Sequence, residues 1–466
     1  MRLRHVVGGV LVFALAGAAG FAVLAYEPAI DPVTPPDRSA FDTAAIARGA
    51  ELAAIGNCIV CHTAPGGAVL AGGLPIATPF GTVHSTNITP DPDTGIGRWS
   101  EAAFTRSMRR GIDRDGRHLY PAFPYDHFTR VTDPDNRALY AYLMTRPPLR
   151  APERPNKLAF PFNLRPLLAG WKLFFLWEGP RNDDPVQSAE WNRGAYLAEG
   201  LAHCGACHTP RNRLGAEQRD AHFAGGRAEG WHAYAINAAS PAPVPWTADS
   251  LHVYLRQGWH GQHGISRGPM APVTTNLATV PEADVRAVAV YVAERMGTPG
   301  REKMARAEQV LAKARPSRPG AQATAGDSQT LPEASGSGPG RALYAAACAG
   351  CHDGSRPLPY GGLNLHLSTA VNGPDPDNII NVVLQGLPPA PGERSAIMPG
   401  YDGVISDAQL ADLLAYMRAA FSDKPPWPDL AATVARQRER ARSGRIYATD
   451  GAQAAPAVPT PRGTSW

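Results

Sequence analysis

Hydrophobic positions along this chain return mostly at helical spacing. Leu139 and Leu143, Val288 and Val292, and Leu413 and Met417 stand four residues apart, as on the buried stripe of an amphipathic helix. Each pair belongs to a final helix that carries the same landmarks: Val131 and Tyr142, Val280 and Tyr291, and Ile405 and Tyr416. Earlier stretches at 99–111 and 246–258 share one length, carry an apolar face and close on Gly111 and Gly258; 374–386 is their counterpart in the last third. A leading helix is expected before each set, at Arg48-Gly49-Ala50, Arg193-Gly194-Ala195 and Gly340-Arg341-Ala342. The pattern predicts an all-α fold of three tandem small domains, each too small to build much core from protein alone.

The remaining segments differ in kind. Arg2, Arg4 and His5 precede an uncharged run over 6–25, long enough to cross a bilayer, although Val23-Leu24-Ala25 also reads as a small-residue cleavage site. We expect a membrane anchor or signal over 1–30, with everything after Tyr26 on the periplasmic side of the cytoplasmic membrane. The domains are expected at 40–147, 187–299 and 338–424. Between the first two, 148–186 is a connector. Its apolar stretch 158–177 is interrupted by Pro161, Asn163, Arg165, Pro166 and Lys172, which argues for packing across domains and against a second span. Residues 300–337, rich in Ala, Gly, Ser and Pro, read as a flexible linker. Residues 425–466 read as an Arg-rich solvated helix followed by a disordered tail.

Charge narrows the function classes. The 45 basic side chains are interspersed with 41 acidic ones, for a formal net charge of +4, which leaves no electrostatic footprint for nucleic acid. No dinucleotide fingerprint, nucleophile elbow or phosphate loop is present, so the chain shows no catalytic apparatus of its own.

The cysteines carry the chemistry. There are six, and all fall in C-x-x-C-H motifs: Cys58/Cys61/His62, Cys204/Cys207/His208 and Cys348/Cys351/His352. Two thiols one helical turn apart can form thioethers with a haem's vinyl groups, and the following histidine can bind the iron. A zinc knuckle or redox dithiol also uses a C-x-x-C turn, but three copies that consume every cysteine favour three covalent haems c. The second axial ligand is expected from a loop before the last helix of each domain. Met398, in Met-Pro-Gly-Tyr, and Met270, in Gly-Pro-Met, occupy such places. In the first domain Phe123 stands there instead. His127 is the nearest replacement and His118 the next, with an open iron as the alternative; Met108 and Met144 look like helix-face residues.

The exported region resembles the triple-haem cytochrome c subunits of bacterial membrane-bound dehydrogenases for alcohols, aldehydes and gluconate. The resemblance rests on the three motifs and on Pro79-Phe80-Gly81-Thr82, Ser85-Thr86-Asn87-Ile88-Thr89-Pro90, Gly116-Arg117-His118-Leu119-Tyr120-Pro121-Ala122, Trp191-Asn192-Arg193-Gly194 and Gly268-Pro269-Met270. The stretch around Phe123 to Phe128, with Phe160-Pro161-Phe162-Asn163, looks more like the cytochrome subunits that accompany molybdenum hydroxylases of the nicotinate or isoquinoline type. The resemblance implies three class I cytochrome c domains and a separate catalytic dehydrogenase subunit, whether molybdenum, flavin or quinoprotein. It also implies attachment to the inner membrane, with a quinone or terminal oxidase as acceptor. The expected role is electron relay. The alternative is a haem enzyme such as a peroxidase, using an open first haem.

Overall fold

A computed structural model describes residues 2–314, 338–352, 361–387 and 398–442. The chain falls into two compact units. The first comprises residues 1–206, 211–217 and 279–288, and the second the remainder. The second repeat thus contributes to both.

In the first unit, α1 (Arg2–Ala25) is the long apolar helix, able by size and composition to cross a membrane from His5 to Ala25. The leading helix α2 (Thr43–Ile55) starts at Asp42, whose carboxylate accepts a bond from the amide of Ala45, and it buries Leu52, Ala53 and Ile55. Next come α3 (Glu101–Arg110), capped by Ser100, and α4 (Asp133–Met144), capped by Thr132. Helices α2 and α4 cross closely at Gly49, where a Cβ would lie 2.0 Å from the carbonyl oxygen of Ala138. Gly111 ends α3 in the left-handed conformation, φ 58°, with its α-carbon against the ring of Tyr125. The connector forms α5 (Leu167–Phe175), which packs on α1, and α6 (Ala189–Glu199) opens the second repeat.

Arginines of the two leading helices tie this unit together. Arg193 holds Asp284 through two bonds of 2.8 and 2.9 Å, and Arg48 reaches Asp135 and Asp284 at 3.4 Å each. In α2 the Arg-Gly-Ala signature therefore has two functions: Gly49 permits the crossing, and Arg48 pairs with Asp135 in the first turn of the closing helix.

The second unit contains α7 (Ala248–Gln257), α8 (Met270–Leu277) and most of α9 (Glu282–Met296), whose first turns belong to the first unit. It continues through α10 (Arg301–Ala314), α11 (Pro339–Ala347), α12 (Asp377–Gln385), α13 (Asp407–Phe421) and α14 (Leu430–Arg442). Its last third repeats the crossing, with Gly340 of α11 against the carbonyl of Asp412 in α13. Tyr344, Ile380, Leu384, Leu410 and Leu414 form a buried core there.

Three expectations need correction. The fold is mostly helical but not all-α. Strands β1 (Pro75–Thr78), β2 (Gly81–His84) and β3 (Lys157–Leu158) form one antiparallel sheet. Strands β4 (Gly226–Ala228) with β5 (Trp231–Ala233), and β6 (Trp259–His260) with β7 (Gly264–Ile265), form two hairpins. These strands are two to four residues long, too short to show a period. The β4–β5 turn depends on local chemistry instead, with Glu229 and Gly230 both at positive φ (52° and 82°) as a two-residue turn requires.

The first part of the expected linker is not flexible coil, because 301–314 is helical. Its residues are strong helix formers, Glu302 pairs with Arg306 one turn on, and Ala307 is buried. Residues 315–337 lie outside the described residues. The Arg-rich helix is docked, not merely solvated: Val434 is buried, and Arg438 binds Asp402 and Asp407 at 2.5 Å each. The tail at 443–466 is outside the described residues.

Candidate haem sites

Each C-x-x-C-H motif forms a short helical turn: Cys58–Cys61 before His62, Gly205–His208, and Ala349–His352. Asn57 (φ 52°) and His203 (φ 39°) take the left-handed conformation just ahead of the first two turns. None of the six cysteines is joined in a disulfide.

Past each motif, a glycine amide returns to the turn. Gly72 donates to the carbonyl of His62 (2.7 Å), Gly225 to that of His208 (2.8 Å) and Gly362 to that of Cys351 (2.9 Å). A Cβ on Gly362 would lie 2.7 Å from His352 Nδ1, and one on Gly226 would lie 2.4 Å from the carbonyl oxygen of Cys207. The returning chain then presents a backbone oxygen to the histidine. His62 Nδ1 lies 2.7 Å from Thr86 O, His208 Nδ1 2.7 Å from Tyr234 O, and His352 Nδ1 2.8 Å from Leu363 O. A carbonyl only accepts, so Nδ1 carries the proton in each ring and Nε2 keeps the lone pair that an iron needs. Burial lowers the pKa of His62 and His208, against the bonds to Thr86 and Tyr234, and so favours the neutral ligating form.

The thiols fit the same chemistry. Burial pushes Cys58 up to about 12 and Cys348 up to about 11, with the neighbouring cysteine of each motif adding to the effect. Burial thus favours the neutral thiol over a reactive thiolate at both positions. The same set of cysteines, histidine, carbonyl and glycine recurs at each motif, and sequence spacing alone could not reveal the glycine and carbonyl that complete it.

The distal candidates are less alike. Met270 starts α8 directly after Gly268, which sits at φ 59° against the Trp231 ring, and Pro269. Met398 is half-buried, packs on the third core as Cys348 does, and is pinned by reciprocal backbone bonds with Leu387. Phe123 packs against Phe128 and Tyr125 at ring-centroid distances of 5.3 and 6.5 Å. Met108 and Met144 are buried in α3 and α4 as core residues.

His127, the expected replacement ligand, is held by two other partners. It is buried, with Nδ1 2.8 Å from Glu199 O and Nε2 2.6 Å from Glu217 Oε1, so both ring nitrogens are committed. Burial would lower its pKa, but the bond to Glu217 and the charges of Glu217 and Asp126 raise it above its ordinary value. Neighbouring His203, half-buried, is driven down to about 4 by desolvation. Glu217 lies ninety residues from His127 in sequence, so local spacing held no hint of it. His118 is likewise committed, with Nε2 3.0 Å from Ala25 O and Nδ1 3.0 Å from Lys172 Nζ.

These turns and crossed helices define a c-type cytochrome, and comparison with known proteins agrees. Residues 46–147 match the cytochrome c family, and 338–417 match the family of cytochrome c oxidase, cbb3-type, subunit III. A nicotinate dehydrogenase subunit of Pseudomonas putida is 46% identical over 91% of this chain and 35% of its own length, so the chain spans about a third of that relative. The fructose dehydrogenase cytochrome subunit of Gluconobacter japonicus is 34% identical, covering 84% of this chain and 82% of its own. The gluconate 2-dehydrogenase cytochrome c subunit of Pantoea cypripedii is 33% identical, covering 87% and 90%. The chain belongs to the family of cytochrome c subunits of dehydrogenases, electron-transfer components rather than catalytic ones. These relatives give no support to a haem peroxidase.

Proposed function

We propose that this chain is a three-haem electron relay between a catalytic dehydrogenase subunit and a membrane-linked acceptor, a quinone or a terminal oxidase. The observation that supports it best is the threefold recurrence of one arrangement: two cysteines on a turn, a histidine with Nδ1 fixed by a carbonyl, and a glycine closing the loop. Cys58 with Cys61, Cys204 with Cys207 and Cys348 with Cys351 would hold the haems, and His62, His208 and His352 would bind the irons. When bound, each haem supplies a one-electron ferric/ferrous couple. The protein orients the proximal rings and sets their distal partners. Met270 and Met398 are the distal ligands we propose for the second and third centres. The first has Phe123 in that place and a His127 whose nitrogens are engaged elsewhere, so its potential is set differently. We place α1 in the inner membrane as an anchor, with the rest in the periplasm. The identity to the nicotinate dehydrogenase relative favours a molybdenum-hydroxylase type of partner over a flavin or quinoprotein one.

Mass spectrometry of the exported protein tests the stoichiometry: three haem additions are expected, and two or fewer on fully matured protein would refute the three-haem, three-domain reading. Met270→Ala and Met398→Ala should each lower one centre's potential and leave the other two unchanged. Unchanged potentials with low-spin spectra in both variants would show the ligands to be misassigned.

A further inference from the structure

The connector helix α5 carries a lysine and follows an arginine, which in sequence weighs against a second membrane span. In the structure both charges turn inward. Lys172 is buried, with Nζ 2.7 Å from Gly111 O and 3.0 Å from His118 Nδ1. The Arg165 guanidinium lies 4.9 Å over the Tyr120 ring and donates to His118 O at 2.9 Å. The indole of Trp171 is satisfied by Leu214 O at 3.0 Å. The outward face is left to Phe160, Leu164, Leu167, Leu173, Phe174 and Trp177, all exposed; Phe160 is 78%, Phe174 67% and Leu173 66% accessible.

The position of this face says what covers it. Helix α5 packs on α1, with Gly170 beside Phe21. The imidazole of His118 links Lys172 to the carbonyl of Ala25, the last residue of α1. The exposed aromatics therefore continue the apolar surface of the anchor at its C-terminal end, the level of the periplasmic headgroups when α1 spans. Nine residues cannot cross a bilayer, whereas a short helix with one apolar face and aromatic flanks suits its interface.

We propose that α5 and its flanks form a second membrane-contact element, seated in the outer interface of the lipid bilayer beside α1. The inference rests on the proposed anchoring by α1. The inward lysine and arginine are positioning residues that keep this face uncharged, so the first repeat is held at a fixed height and orientation on the membrane.

The test uses the full haem-loaded chain in phosphatidylethanolamine/phosphatidylglycerol vesicles. A nitroxide is attached at Phe174→Cys, at Leu173→Cys, at the anchor site Phe13→Cys or at Val186→Cys, an exposed site outside this face. The native cysteines are consumed by haem, and an unchanged visible spectrum certifies each variant. At 173 and 174, collision with an aqueous nickel chelate should fall several-fold relative to 186, while collision with oxygen rises. Chelate access equal to that at 186 would overturn the inference, and so would shielding from both reagents, the signature of a protein partner. Chelate access at 13 would refute the anchor separately, and the labels at 173 and 174 would still decide the question for α5.

Discussion

Asp284 joins the arginines of the two leading helices in the first unit, and Asp284→Ala should show what that junction contributes. The substitution removes two bonds from Arg193, at 2.8 and 2.9 Å, and one from Arg48 at 3.4 Å. Hydrogen bonds to charged groups contribute about 1.5–3 kcal/mol each. Here the arginine side chains are 30% and 31% exposed, and Arg48 retains Asp135 and Glu51. Screening and these remaining partners reduce the expected loss to about 2 kcal/mol. Urea unfolding of the variant should show this as an earlier first transition, and a double-mutant cycle with Arg193→Ala should return a coupling of about 1 kcal/mol. The dependence on pH has a definite sign. Burial opposes ionisation of Asp284, but the bond and charge of Arg193, with Arg48, hold its pKa below the ordinary carboxylate value. The stabilisation is therefore present above the unfolded pKa of about 3.9 and lost as pH falls through the folded one, so wild type and variant should converge in acid. A loss of only a few tenths of a kcal/mol, zero coupling, or a difference that persists below both pKa values would refute the assignment.

Glu217→Gln should remove the group that raises the pKa of His127. The stability of that pair is fully present below the unfolded histidine pKa of about 6.5 and is lost as pH rises through the folded one. Melting curves should therefore show the wild type losing stability across that window and the variant staying nearly flat; parallel profiles would exclude the pair. Gly362→Ala places a Cβ 2.7 Å from His352 Nδ1, whereas Gly350→Ala meets nothing within 4 Å. The first should lose or alter one haem of the three by mass and redox titration, and the second should keep all three unaltered; equal behaviour would remove Gly362 from the site. His127→Ala should leave the first centre's spin state unchanged, because its ring nitrogens are already bonded, and conversion to high spin would restore it as a ligand.

Much of this protein was legible in its residues. The C-x-x-C-H turns, the recurring helix landmarks and the long N-terminal apolar helix all depend on contacts within a few residues, so local spacing reports them directly. The Gly-Pro-Met and Met-Pro-Gly-Tyr loops could be picked out in the same way, though spacing alone does not place a side chain on an iron. What depends on partners distant in sequence had to wait for tertiary structure. Glu217 captures His127, Asp284 gathers Arg48 and Arg193, and the carbonyls of Thr86, Tyr234 and Leu363 fix the proximal rings. The direction of a long side chain is decided the same way. Lys172 reads as a charge that bars a second membrane span, yet its flexible stem carries the ammonium to Gly111 O and His118 and leaves Leu167, Leu173 and Phe174 exposed on α5. Composition records that a charge exists, and only packing decides which face of the helix it occupies.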